Sequence, residues 1–243
     1  MMRRFIDLHC HCVPGIDDGA DTVDEARAML VGLRELGFEL VVATPHMRTG
    51  LFDNTRADLQ AAFAAFEAAL GDPEDLPRLA LSSEHYFDDV VYQRLLTGEA
   101  LPYPGERAAL VELYGIDLSP HLEHRFADLR RSGLLPVVAH PERYPAIWRS
   151  PDKLERLIDG GAAALMNTSA LAGRYGRKVR RCAEELLERG LYHAACTDVH
   201  HPDDISQVAR GMKRIIKRYG EEELDFLFGE GPKKLLDGQL VQV

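Results

Sequence analysis

Seven short apolar runs, separated by segments with helical spacing, constrain this chain more than any other feature. They cover residues 5–11, 40–44, 79–83, 108–111, 134–139, 162–165 and 192–196. Short apolar strands alternating with helices are the signature of βα units in a parallel sheet. The first intervening segment has Thr22 and Glu25 in capping-box spacing ahead of Ala26, Met29, Leu30, Leu33 and Leu36, with Gly37 as its stop. A second helix is expected over residues 55–70, with Leu59, Phe63 and Phe66 on one stripe and Gly71-Asp72-Pro73 ending it. Others are expected near 88–96, from Ser119-Pro120 to about 131, over 151–158 and 176–188, and in a tail at 206–219 and 221–228 with a short segment near Pro232. At 243 residues the chain has room for one large α/β domain, and no repeat or Pro/Gly-rich linker divides it. A single domain over residues 1–243 is therefore expected.

The strand ends carry the chemistry. Phe5-Ile6-Asp7-Leu8-His9-Cys10-His11 places two histidines at i and i+2, so both imidazoles face one side of a strand end while Cys10 and Cys12 face the other. Asp17 and Asp18 follow closely, and imidazole with nearby carboxylates reads as half of a metal site. The later strands end at His46, Glu84, Glu112, His140, Asn167, and Asp198 with His200. Any one of these alone is as well explained as a solvated or hydrogen-bonded loop residue. In a closed (β/α) barrel the carboxyl ends of all strands converge on one mouth, so seven such endings together point to a multinuclear metal site. Mixed imidazole and carboxylate donors suit manganese, zinc or iron.

Other classes are disfavoured. A formal charge of −10 argues against nucleic acid as a partner, and no apolar run is long enough to span a bilayer. The start, Met1-Met2-Arg3-Arg4, leads straight into the first strand without an apolar signal core, which places the protein in the cytoplasm. Cys10, Cys12, Cys182 and Cys196 suit reduced core thiols. Six positions after them stand Ile16, Asp18, Glu188 and Pro202, so the cysteine–arginine loop of a thiolate phosphatase is absent.

Taken together, Asp7-Leu8-His9-Cys10-His11, Gly15-Ile16-Asp17-Asp18-Gly19, Thr44-Pro45-His46, Ser83-Glu84, His140-Pro141-Glu142-Arg143-Tyr144 and Thr197-Asp198-Val199-His200 resemble the PHP (polymerase and histidinol phosphatase) superfamily. Within it, the chain is similar to the bacterial metal-dependent protein-tyrosine phosphatases of capsular and exopolysaccharide operons. The resemblance implies an α/β fold, a distorted seven-stranded (β/α) barrel holding three metal ions, most often manganese, with iron or zinc as alternatives. It assigns His9, His11, Glu84 and Asp198 to a first metal. Glu84 would bridge to a second, completed by Glu112 and His140, and Asp18, His46 and His200 would hold the third. Arg143 would grip phosphate oxygens. Some members carry a second arginine after the last strand, where this chain has Pro202-Asp203-Asp204-Ile205, and Arg48 is the substitute candidate.

The implied reaction is hydrolysis of phosphotyrosine on the tail of a bacterial tyrosine autokinase. A phenolate, with pKa about 10, leaves readily, so a weak general acid such as Asp18, His46 or His200 suffices. Leu51 and Phe52 are candidates either for contact with the substrate ring or for packing onto the rim. Two alternatives stand beside this: a small-molecule phosphoesterase such as histidinol phosphatase, and a PHP module that binds metal without turnover.

Overall fold

The computed structural model describes residues 4–71 and 74–240, so Met1–Arg3 and most of the expected stop at Gly71-Asp72-Pro73 lie outside the described residues. Among the described residues there are nine strands: β1 (Phe5–Cys10), β2 (Phe38–Ala43), β3 (His46–Met47), β4 (Arg78–Leu81), β5 (Glu84–Tyr86), β6 (Ala108–Glu112), β7 (Leu135–Ala139), β8 (Ala163–Asn167) and β9 (Ala194–Cys196). They form a three-stranded sheet in the order β1-β2-β4 and a six-stranded sheet in the order β3-β5-β6-β7-β8-β9. Every pairing between them is parallel.

The strand count differs from the expected seven because two short strands, β3 and β5, lie just past the ends of the expected strands at 40–44 and 79–83. Thr44-Pro45 separates β2 from β3, and Ser82-Ser83 separates β4 from β5. Proline has no N–H to give to a ladder, so pairing lapses there. Backbone bonds still cross the gap, Ser82 N–H to Ala43 O at 2.8 Å and Glu84 N–H to Pro45 O at 3.2 Å, and side chains add to them: the Ser83 hydroxyl donates to the Pro45 carbonyl at 2.8 Å and the Ser82 hydroxyl to that of Leu101 at 3.1 Å. On its other side β1 meets the end of β9. Asp198 N–H donates to His9 O at 2.8 Å and His11 N–H to Val199 O at 2.9 Å. The buried Asp7 carboxylate accepts from the Thr197 amide at 2.9 Å and from its hydroxyl.

Apart from the half-exposed β4, the longer strands are buried on both faces. Alternate residues from seven of them, among them Leu8, Val42, Leu110, Val137, Leu165 and Cys196, form one apolar cluster together with Tyr103 and Leu235. The Tyr103 hydroxyl donates to Leu8 O at 2.8 Å, which satisfies a polar group that would otherwise be costly in this setting. The opposite faces pack against the helices in a second, larger cluster. Fully burying a leucine or valine contributes about 1.5–3 kcal/mol each, so these two layers hold the frame from which the site projects.

The helices largely start and stop where local chemistry dictates. Thr22 caps Val23–Glu35 by accepting from Glu25 N–H, while the Glu25 carboxylate turns back to Asp21 N–H rather than to Thr22. Thr55 and Asp58 make a full capping box for Arg56–Leu70. The expected start at Ser119-Pro120 is displaced: the helix is Leu122–Arg131 and His121 caps it without a side-chain bond. Pro145–Arg149 and Thr168–Ala172 are short helices with no periodic signal long enough to read. The expected 221–228 helix is α over Glu221–Asp225 and π over Phe226–Glu230. Helix Ile205–Tyr219 crosses Thr168–Ala172 so closely that a Cβ on Gly211 would stand 2.2 Å from Thr168 O.

Candidate metal centre

The strand pattern aims the candidate ligands at one place. From the apolar cluster, each step of two residues along a strand stays on the same face. Val42 leads to Thr44 and His46, Ala80 to Ser82 and Glu84, Leu110 to Glu112, Leu165 to Asn167, and Cys196 to Asp198. Three ligands reach this face by breaking the period. A register shift between Asp7 and Cys10 in the pairing of β1 with β2 carries His9 and His11 to the ligand side while Leu8 stays in the cluster. His140 follows Ala139 directly, with φ +35°, and Asp198 itself has φ +52°. Left-handed backbone at non-glycine residues costs energy and gathers at functional sites.

All nine candidate ligands come together. Their donor atoms fall into four overlapping groups, each spanning at most 4.8 Å: His11, Asp18, His46 and His200; His9, His11 and Glu84; His9, His140 and Asp198; His46, Glu84 and Glu112. The last group places His46 where the resemblance puts His140, although His140 Nε2 also stands 3.0 Å from Glu84 Oε1. Glu84 lies at the middle, with His9 Nε2 at 3.2 Å, His46 Nδ1 at 3.1 Å and His11 Nε2 at 3.5 Å from its oxygens. Asp198 Oδ1 is 3.1 Å from His9 Nε2, and the more exposed Asp18 is 3.3 Å from His46 Nε2.

The donor set fits cations. His9 Nε2, His11 Nε2, His46 Nδ1, His140 Nδ1 and Glu112 Oε2 are buried without a hydrogen-bond partner. Such orphaned atoms are rare and costly, and nitrogens and carboxylates that converge this closely are arranged for a shared positive charge. Imidazole with carboxylate selects among manganese, iron and zinc by geometry rather than by affinity alone.

Outer residues orient the ligands. Thr44 Oγ1 lies 2.6 Å from His9 Nδ1 and Asp17 Oδ2 lies 2.7 Å from His11 Nδ1, which directs each Nε2 into the centre. Asp17 also accepts from the amides of Gly19 and His46, so its place is to hold the ligands, while Asp18 faces the cluster. The turn closes tightly: a Cβ on Gly19 would stand 2.1 Å from His11 O. Asn167 is an orienting residue rather than a ligand, because its amide donates to Asp198 Oδ2 at 2.7 Å. Its own N–H is fixed by the buried Glu142 carboxylate at 2.9 Å, which also accepts from Tyr192 OH. None of these outer partners has a spacing signature that marks it as an orienting group; Asp17 stood out by proximity to His11 and Asn167 as a strand end, both among the candidate ligands. Thr44→Val removes the oxygen at His9 Nδ1 in nearly the same volume, and metal affinity, followed by titration of the metal-free protein, is expected to weaken about 10–100-fold with the fold kept.

Arg143 reaches the rim of the centre. Its Nη1 donates to Asp198 Oδ2 at 2.9 Å and its guanidinium stacks over Tyr175, 4.9 Å from the ring centroid. Arg48, two residues past His46, lies over the ring of Tyr86 at 4.3 Å. Phe52 stacks on His46 at 5.4 Å and 4° between planes, and Leu51 is exposed.

Parallel strands flanked by helices, with imidazoles and carboxylates collected at their carboxyl ends, define a class: the α/β proteins with a metal centre at the strand ends. D-hydantoinase shares this fold with a TM-score of 0.57 at 11% identity, over 96% of this chain and 70% of its own. The chain belongs to the capsular polysaccharide synthesis CpsB/CapC family, whose pattern matches residues 5–237. Tyrosine-protein phosphatase YwqE of Bacillus subtilis is 29% identical over 98% of this chain and 93% of its own. Tyrosine-protein phosphatase CpsB of Streptococcus pneumoniae is 27% identical over 98% of this chain and all of its own. A crystal structure from work on YwqE and CpsB, described as unique metal-dependent tyrosine phosphatases, superposes with a TM-score of 0.87 at 28% identity, over 97% of this chain and 96% of that one.

Proposed function

We propose that this chain is a metal-dependent protein-tyrosine phosphatase whose substrate is the phosphotyrosine tail of a polysaccharide-export tyrosine kinase. The observation that carries it is the convergence of nine imidazole and carboxylate ligands beside Arg143, in a chain similar end to end to YwqE and CpsB. His9, His11, Glu84 and Asp198 would hold one ion, Glu84, Glu112 and His140 a second, and Asp18, His46 and His200 a third, with the frame closing as one distorted barrel. Bound cations supply a water of lowered pKa and neutralise phosphoryl charge for in-line displacement.

The protein's own groups do the rest. Arg143, steadied by Asp198 and by the Tyr175 ring, offers its free N–H groups to phosphoryl oxygens. Asp18, His46 and His200 lie at the open side, within reach of a leaving phenolate that needs little protonation. Leu51, Tyr114 and Ile116 are exposed, and with Tyr114 two residues past Glu112 this face suits a protein tail better than an enclosed metabolite. No helix among the described residues is long and apolar enough to cross a membrane. The four cysteines are buried and unpaired, as suits a reducing compartment, and we place the reaction in the cytoplasm.

The test is a comparison, with manganese added, of a phosphotyrosine peptide, a phosphoserine peptide and histidinol phosphate. Phosphotyrosine is expected to be preferred at least tenfold in kcat/KM, as a better leaving group allows. Preference for histidinol phosphate would replace this function with the metabolite reading, and no turnover of any of the three would leave only the metal-binding module.

A further inference from the structure

The period that delivers the ligands continues one step outward. Two residues beyond His46, Glu84 and Glu112, on the adjacent strand lines β3, β5 and β6, stand Arg48, Tyr86 and Tyr114. They touch in a row: the Arg48 guanidinium lies 4.3 Å from the Tyr86 centroid, and the Tyr86 and Tyr114 rings are 5.4 Å apart. Leu51, 58% exposed and bonded through its N–H to Arg48 O, and Ile116, 71% exposed and two residues past Tyr114 in the chain, flank this row, and Tyr114 itself is 43% exposed. Large apolar side chains held in water next to a concave site mark a surface that something covers.

We propose that this row is a docking wall for the apolar side chains flanking the phosphotyrosine of the substrate tail. The assignment rests on the phosphatase function proposed above and deepens it. Continuity with the metal centre carries it: the wall begins two residues from three of the ligands, so a tyrosine whose phosphate reaches the centre lays its neighbours against these rings. Aromatic faces give a peptide contact area at little entropic cost, and the guanidinium on Tyr86 keeps N–H groups at its edge for peptide carbonyls. A small aryl phosphate has no flanking residues and so does not reach the outer end of the row.

The experiment compares Ile116→Ser and Tyr114→Ser with the unsubstituted protein, all loaded with manganese, on three substrates. These are a phosphotyrosine peptide with leucine and valine flanks, the same peptide with glycine and serine flanks, and 4-nitrophenyl phosphate. Removing one apolar contact is expected to raise KM for the apolar-flanked peptide about tenfold with kcat little changed. The serine-flanked peptide and 4-nitrophenyl phosphate are expected to change less than about twofold, within the range of a surface substitution. Unchanged KM for the apolar-flanked peptide in both variants overturns the wall. So does sedimentation showing a dimer that either variant splits while peptide kinetics stay constant, since the occupant is then a second copy of this chain. If the unsubstituted protein cleaves histidinol phosphate but neither peptide, the phosphatase function falls, and the wall with it.

Discussion

Glu84→Gln is expected to lower kcat/KM for a phosphotyrosine peptide by roughly 10³-fold or more, and to leave the purified protein short of at least one bound cation. Glutamine keeps the shape of the side chain and removes its charge. Three imidazole nitrogens, from His9, His46 and His140, lie 3.0–3.2 Å from the Glu84 oxygens, and a fourth, from His11, lies at 3.5 Å. No other carboxylate among the described residues has that many. The side chain is also fully enclosed, so water cannot replace the lost charge. Circular dichroism and thermal melting are expected to show that the frame persists, because Glu84 stands past the apolar cluster rather than in it. Full metal content and full activity in this variant would remove Glu84 from the centre.

Metal binding is expected to weaken by about 100-fold between pH 8 and pH 6, because each cation displaces at least one proton and each displaced proton costs tenfold per pH unit. The metal-free cluster holds those protons tightly. Burial alone would lower His9, yet the Glu84 and Asp198 carboxylates hold its imidazole at about 9. His11 is likewise opposed by burial but raised well above its ordinary value by Asp17 and Glu84. Burial, then the neighbouring Glu84 charge, pushes Glu112 up to about 7. Below these values the ligands are protonated and unavailable, so affinity falls as pH falls.

Stability of the metal-free protein has the opposite sign. An imidazole whose folded pKa of about 9 exceeds its unfolded value of about 6.5 contributes stability that is complete below the lower value and is lost as pH rises through the upper one. Chelation should therefore abolish turnover at every pH, with manganese restoring it. Thermal melts should find the metal-free protein less stable at pH 9 than at pH 6.5. Metal affinity that is flat between pH 6 and 8 would contradict the proton competition.

The types of ligand were legible in the residues. His9-x-His11, Pro45-His46 and Asp198-x-His200 each end an apolar run, and the alternation of runs with helices announces parallel strands whose ends lie together. Less visible were the groups that steer them. Asp17 and Asp18 are adjacent and chemically alike, yet one is enclosed against His11 Nδ1 and the other faces His46 and His200. Asn167 ends its strand as a ligand would, and only the position of Asp198 makes it a donor to that carboxylate. The short strands just past Thr44-Pro45 and Ser82-Ser83 form by pairing with one another and with β6, which no local pattern announces.

By itself the sequence determined the parallel α/β frame and the donor atoms at its strand ends, because a two-residue period carries facing information along a strand. Only the tertiary structure decided which of those atoms share a site. The register shift in β1, the left-handed turns at His140 and Asp198 and the tight turn at Gly19 set how neighbouring strand ends are phased against one another. Distances across a sheet follow from pairing and twist, which no local pattern contains.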